Sequence, residues 1–351
     1  MTALTDLLLR RIKATGPITL ADYMADCLLH PTFGYYSTRD PFGVGGDFIT
    51  APEMSQMFGE LLGLCLAQTW LDQGSPARFT LAELGPGRGT LMADVLRATQ
   101  AVPGFHAAAD LVLIEASATL RQVQAKTLGA FAPIWADSAA DLPDQPLFLL
   151  ANEFFDALPI DQFQMTPQGW RQSMLGVKGG ALALGLSDPM PCPDARFATD
   201  PPGTVIELCP AAAPIAAHIG GVIRQHGGAA IIVDYGGWRS KGDTLQALRN
   251  HAPENPLANP GQADLTAHVD FEALARAAGT DMCSDLIGQG LLLGRLGIAA
   301  RAARLAQGLS GPALENHLAA TRRLTDPAEM GTLFKAMALR PPHCPPPPGF
   351  A

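Results

Sequence analysis

The stretch Leu81–Leu96, LAELGPGRGTLMADVL, decides how this sequence is read. It begins as an apolar run, passes through glycines at 85, 87 and 89, and continues with apolar residues at helical spacing. A strand that turns into a helix through glycines lets the backbone come close to a ligand, because glycine reaches positive φ without a Cβ clash. One acid, Glu83, precedes the first glycine. A phosphate-binding P-loop would need a lysine followed by serine or threonine after its last glycine, and none follows here. A dinucleotide turn would need a small residue where Thr90 stands. The pattern present is E-x-G-x-G-x-G, made of Glu83, Gly85, Gly87 and Gly89, with Pro86 stiffening the turn.

Working outward, short apolar runs alternate with helical segments. FTLAELG is a strand entering the turn, and Thr90 to Thr99 forms the helix after it. LVLIEAS is a second strand, followed by a helix from about Ala118 to Leu128. APIWADS reads as a weak third strand, PLFLLANEFFDALP as a strong fourth, and AAIIVDYG as a fifth that is apolar until Asp234. This alternation predicts a mainly parallel α/β sheet with helices on both faces. Before it, LTDLLLRRIKATG and LADYMADCLLH are spaced as amphipathic helices, the second stopped by Pro31. A glycine-rich loop follows, then a helix from about Glu53 to Leu71. Between the fourth and fifth strands the chain holds hairpin material, with turns at Pro167–Gly169 and Gly179–Gly180, and far more residues than a crossover needs. It reads as an insertion over the sheet's C-terminal edge. The expected division is an N-terminal helical and loop region over 1–75 that covers the site, a main domain over 76–340 with the insertion at about 160–225, and a proline-rich tail over 341–351 with a frayed end.

The chain has 351 residues, 48% of them hydrophobic and 16% charged, which is a globular balance with material for a large core. A net charge of −9 argues against nucleic acid as a partner. Six cysteines without a C-x-x-C pair argue against a zinc ribbon or redox motif and predict reduced thiols. No apolar window of about 18 uncharged residues is present, and the N-terminus has neither signal-peptide nor transit-peptide character, so no membrane span and a cytoplasmic location are expected.

The glycine turn suits a ligand without a pyrophosphate. Glu83 at a strand end accepts a hydrogen bond from a cationic amino group, and S-adenosylmethionine carries one beside its sulfonium and ribose diol. Glu115, at the tip of the second strand, stands where the diol would be gripped, and Asp137 or Ser138 after the third strand could reach an adenine amino group. The fourth strand ends in Asn152, Glu153 and Asp156 with Phe154 and Phe155 between them. Charges after an apolar strand are costly without partners, which marks a site floor, although Asn152 or Asp156 as a helix N-cap is the plain alternative. A methyl donor near carboxylates suits a guanidinium acceptor, since a carboxylate holds arginine's planar fork. Glu153 is the expected clamp, and Glu207 is a second candidate that reads more readily as a plain strand residue. Asp264, His268 and Asp270 in ADLTAHVDF are too few for a metal site, and none is expected.

At these residues the chain resembles the MidA-like family of S-adenosylmethionine-dependent methyltransferases. FGYYS, GDFITAPEMSQMFGE, LAELGPGRGTL, ANEFFDALPIDQFQ, IIVDYG, ADLTAHVDF and QGLLLGRLGI are similar to family blocks, in the family's order. The family includes a mitochondrial protein arginine methyltransferase required for assembly of respiratory complex I. The resemblance implies a Rossmann-like, seven-stranded class I methyltransferase sheet with N-terminal helices and an inserted α+β subdomain. It implies that Glu83, Gly85, Gly87 and Glu115 face the cofactor, and that Asp47, Thr50 and Pro52 close over the cofactor or acceptor side. It also implies symmetric dimethylation of arginine in a protein acceptor, a complex I subunit, and a mitochondrial matrix location for eukaryotic relatives. A homodimer is a further expectation. Ala51, where the family often has serine, and the loosely similar stretch 239–260 depart from the pattern and leave the acceptor contacts open. A methyltransferase for small molecules or other residues, and a non-catalytic complex I assembly chaperone that keeps the pocket, are the alternatives.

Overall fold

The structure, a computed structural model, describes residues 2–38 and 50–350. Asp47 lies outside the described residues. The chain forms two compact units. One takes its residues from Met1–Phe48, Asp156–Ala212 and Arg239–Asp270, the other from Ile49–Phe155, Ala213–Trp238 and Phe271–Ala351.

The second unit carries the expected sheet, with strands β1 (Phe79–Leu84), β2 (Ala109–Ile114), β3 (Ile134–Ala136), β4 (Leu147–Asn152), β5 (Gly228–Gly237), β6 (Ile287–Gly288) and β7 (Phe334–Leu339). Their spatial order is β6-β7-β5-β4-β1-β2-β3. The five strands from β3 to β5 run parallel, β7 is antiparallel to β5, and β6 is antiparallel to β7. This is the α/β methyltransferase fold. Every residue of β1 and β4 is buried, as expected of strands covered on both faces, and that explains why the two runs contain so few polar residues. Chain order reverses at β1, which lies between β2 and β4. Leu84 of β1 pairs with Ile114 of β2 and with Ala151 of β4, so the three strands end level. Ligands in open α/β sheets bind beyond the strand ends at such a reversal.

Helices α1 (Ala51–Met54), α2 (Gln56–Asp72), α3 (Thr90–Thr99) and α4 (Ala118–Leu128) complete the surroundings of that edge. The single helix expected from about Glu53 is two, because Ser55 is extended and its side chain caps α2 by accepting from the amide of Met57. An aromatic cluster of Trp70, Phe79, Phe105 and Phe148 lies in the core, with Phe79 centred 5.0 Å from Phe105 and 5.1 Å from Phe148. Buried Glu60 accepts from Arg97 and Arg301, which satisfies a carboxylate that burial would otherwise penalise.

The expectation of a frayed tail is corrected. Phe350 is 5% exposed within this core, the thiol of Cys65 donates to the carbonyl of Pro348, and Arg295 donates to that of Gly349. Fixed φ at successive prolines lowers the entropy of an extended segment, and one buried phenyl ring anchors its end.

In the first unit, helices Ala3–Thr15 and Leu20–Leu29 pack their apolar faces into a second core with Ile160, Leu175 and Leu265. The expected hairpins are strands Asp161–Thr166, Gly169–Lys178 and Ala181–Leu186. Ile18 and Thr19 pair with Leu175 and Met174 of the middle strand, so the N-terminal segment and the inserted strands share one sheet although the chain separates them widely. Residues 239–270 belong to the same unit. Among the described residues, no helix is long and apolar enough to cross a membrane.

If the tail is part of the core, Phe350→Ala should lower unfolding stability by about 3 kcal/mol. Urea denaturation of the full chain checks this, and a change near zero would return the tail to a frayed end.

Candidate functional site

The turn between β1 and α3 forms as the sequence suggests, with Gly85, Gly87 and Gly89 at φ values of 60°, 54° and 81°. Side chains disfavour that region, so three closely spaced left-handed residues require glycine. Gly85 also needs the space, because a Cβ there would lie 2.9 Å from the ring of Phe154. The amide of Gly89 donates to the carbonyl of Pro86 at 2.7 Å and closes the turn.

Glu83 is buried on β1, and its Oε2 has no hydrogen-bond partner. Burial, reinforced by the charge of Glu115 and opposed by the amide of Met92, pushes its carboxyl up to about 8. Glu115 follows β2 and is also buried. Its Oε1 accepts from the amide of Ser117 at 2.8 Å and its Oε2 from Nε2 of Gln124 at 3.1 Å. Burial raises its pKa, while these donors and Arg121 act in the opposite direction. Asp137 accepts from Arg121 at 2.5 Å, and Ser138 caps the short helix Ala139–Asp141.

At the end of β4, Asn152 is buried and its Nδ2 donates to Oε1 of Glu153 at 3.1 Å. Glu153 has φ 51°, a left-handed conformation that costs a branched or extended side chain about 1–2 kcal/mol. Its amide donates to the carbonyl of Val233 on β5 at 3.0 Å. Its Oε1 also receives the amide of Ala51 at 3.4 Å, at the start of α1. Thr50 is the N-cap residue of α1, and Pro52 is buried in its first turn. Glu53 of α1 accepts from the hydroxyl of Thr90, the first residue of α3, at 2.5 Å. Residues 50–53 are thereby tied to both the β4 loop and the glycine turn. The N-cap alternative for Asn152 and Asp156 is set aside, because the chain runs from β4 through a turn to the strand Asp161–Thr166 with no helix to cap. Asp156 belongs to the first unit, where its carbonyl accepts from Ala267.

Glu207 also belongs to the first unit and is buried. It accepts from the amide and hydroxyl of Thr244, the amide of Leu245 and Nε2 of Gln162, which makes it the anchor of a loop. His268 donates its amide to the Thr244 hydroxyl at 2.8 Å. Asp264 accepts from Tyr36 and Asp270 pairs with Arg196. Among the described residues, no group of three or more His, Cys, Asp or Glu side chains is gathered as metal ligands.

Two residues that sequence reasoning missed support the site. Asp234, fully buried, accepts from the amides of Phe155 and Tyr235 at 3.0 Å each and so holds the β4 loop to β5. Gln124, fully buried on α4, bonds the carbonyl of Gly87 at 2.8 Å as well as Glu115. The lone acid ending AAIIVDYG was a signal for the first, whereas a glutamine on an amphipathic helix gives no signal for the second.

These features fit S-adenosylmethionine: a buried carboxylate oxygen without a partner, a backbone cradle that a Cβ would fill, and a second acid on the next strand. The comparisons agree. Residues 61–288 match the family model described as "Putative S-adenosyl-L-methionine-dependent methyltransferase". The bovine and human mitochondrial proteins named protein arginine methyltransferase NDUFAF7 are each 36% identical over 373 residues, covering 95% of this chain and 82% of theirs. A Burkholderia thailandensis protein solved with S-adenosyl-homocysteine bound superposes with a TM-score of 0.83 at 30% identity, covering 99% of this chain and 94% of that one. The chain belongs to this family of S-adenosylmethionine-dependent methyltransferases, and S-adenosylmethionine is its cofactor.

Glu83 makes the cofactor-free protein pH-sensitive in a defined direction. An unfolded glutamate ionises near 4.5, whereas this one keeps its proton up to about 8. The native state therefore binds more protons in that window, and the group's contribution to stability is full below 4.5 and is lost as pH rises through about 8. Wild-type stability should fall relative to Glu83→Gln by up to about 1.4 kcal/mol per pH unit across the window. Paired urea titrations at pH 6, 7 and 8 check this, and parallel curves would show that Glu83 is ionised throughout.

Proposed function

We propose that this methyltransferase modifies arginine side chains of a protein acceptor, a subunit of respiratory complex I, to symmetric dimethylarginine. The observation that carries the reading is Glu153, a left-handed carboxylate at the end of β4, oriented by Asn152 beside the glycine turn. The names of the bovine and human relatives support the same acceptor chemistry. The reading keeps the reaction in a bacterial cytoplasm, whereas those relatives are named as mitochondrial.

The cofactor supplies an electrophilic methyl group on a sulfonium. In this reading the ionised Glu83 holds its ammonium, the backbone of Gly85, Pro86, Gly87 and Gly89 approaches it closely, and Glu115 accepts its ribose hydroxyls. Thr50 and Pro52 hold α1 across this edge. Glu153 takes the guanidinium on its carboxylate. Such pairing fixes the plane of the fork and draws positive charge away from the attacking nitrogen. As the C–N bond forms, the methyl–sulfur bond would break with its electron pair leaving on the thioether, and the proton shed by the nitrogen passes to the Glu153 carboxylate.

The test is incubation of the purified protein with isotopically labelled S-adenosylmethionine and complex I subunits, followed by acid hydrolysis and identification of the labelled amino acid. Label in symmetric dimethylarginine is expected. Label in another residue or in small molecules only would overturn the arginine reading. Glu153→Gln should lower methyl transfer about 100-fold or more while leaving affinity for S-adenosylhomocysteine within threefold. Full activity in that variant would remove the clamp.

A further inference from the structure

Helix α4 presents two polar side chains to the strand ends, Arg121 and Gln124. Arg121 donates to the carbonyls of Glu115 and Ala136 and to the carboxylate of Asp137, and so binds the ends of β2 and β3 together. Gln124 is fully buried. Its Oε1 accepts from the indole of Trp135 at 2.8 Å, and its Nε2 donates to Gly87 O at 2.8 Å and to Glu115 Oε2 at 3.1 Å. Indole N–H only donates, while a backbone carbonyl and a carboxylate only accept, so the three partners leave the amide a single orientation. A buried amide would be satisfied by any nearby partners. This one joins the central glycine of the turn to the acid on the next strand.

We propose that Gln124 is a positioning residue for the methyl donor, locking the glycine turn and the Glu115 carboxylate to one another so that the two ends of the donor site stay at a fixed separation. This rests on the reading of Glu83 to Glu115 as the donor site. Without the amide, Gly87 O and Glu115 Oε2 would lose a shared donor, and the carboxylate would be held through Oε1 alone, so that Oε2 could turn from the position in which it accepts a hydroxyl. Trp135 adds to the lock by fixing the amide from behind.

Replacing the amide by an isosteric carboxyl gives a test that a purely structural role would not pass. In Gln124→Glu, the new carboxyl faces the carbonyl of Gly87 and the carboxylate of Glu115, so the pair retains one proton at low pH and is strained when both ionise. The other charged groups near Glu115 are Glu83 on β1, whose charge couples to it, and Arg121 on α4, itself engaged with Asp137. Asp94 and Arg97 on the neighbouring α3 pair with each other. These groups are common to both proteins, so the extra pH dependence of the variant reads the added carboxyl together with its coupling to Glu115 and Glu83.

The experiment is isothermal titration of the full chain with S-adenosylhomocysteine at pH 6 and pH 8.5, for wild type, Gln124→Glu and Gln124→Met. Gln124→Met, of similar volume and without a donor, should bind about tenfold more weakly than wild type at both pH values. Gln124→Glu should lie within about threefold of wild type at pH 6 and be weakened more than tenfold at pH 8.5. Both variants binding within twofold of wild type at both pH values, with only a lowered melting temperature, would make Gln124 a core residue and overturn the proposal. Should Gln124→Glu not fold at pH 8.5, Gln124→Met decides alone. A wild-type protein that bound no S-adenosylhomocysteine would overturn the donor-site reading itself.

Discussion

A buried carboxyl with an oxygen that has no partner either keeps its proton or needs a cation, and Glu83 is placed in that situation on β1. The rest of the site is arranged around it. β1 carries it to the switch point, where neighbouring strands end level and nothing in the ladder needs the side chain. The glycines that follow turn the chain sharply through three left-handed residues directly after this strand. Glu115 stands on the next strand, so an incoming cation meets one acid in need of a partner and a second one already oriented by Ser117 and Gln124. A methyl donor with an ammonium at one end and a diol at the other meets both requirements.

The loop after β4 is mechanically continuous with the glycine turn within the same unit. Phe154 fills the space that the missing Cβ of Gly85 leaves, which couples the loop after β4 to the glycine turn by packing. Strained backbone at Glu153 persists because surrounding bonds over-determine it: its amide is held by Val233, the next but one residue's amide by Asp234, and its carboxylate by Asn152 and Ala51. Glu53 and Thr90 tie the short helix α1 to the start of α3. Three segments far apart in the chain therefore converge on one strand edge, each through one or two directional bonds.

Some of this was legible in the sequence because it depends on local rules. Alternating apolar runs and helical spacing predicted β1 to β5 and the helices after β1 and β2, and the glycine pattern with its acid predicted the turn and excluded a phosphate site. The three left-handed glycines are consequences of a short stretch acting nearly alone. Long-range pairing was not legible. Ile18–Thr19 joins the inserted strands in one sheet, and Phe350 ends in the core of the other unit, because a partner across the chain, rather than local spacing, sets those positions. The tail had every compositional mark of a loose end, yet burial of Phe350 and the bonds at Pro348 and Gly349 tie it to the core.

What the sequence by itself determined is the class of sheet, the turn and the acids at the strand ends, since these follow from backbone sterics and the period of apolar residues. Only the tertiary structure decided which partners each polar side chain takes. Glu207 and Glu153 look alike in sequence, yet one is spent on the amides and hydroxyl of a loop while the other is held in strained backbone at the switch edge. Gln124 looks like any helical glutamine and is the group that joins the turn to the second acid. The physical reason is the short range of hydrogen bonds, whose partners are chosen by packing and not by distance along the chain.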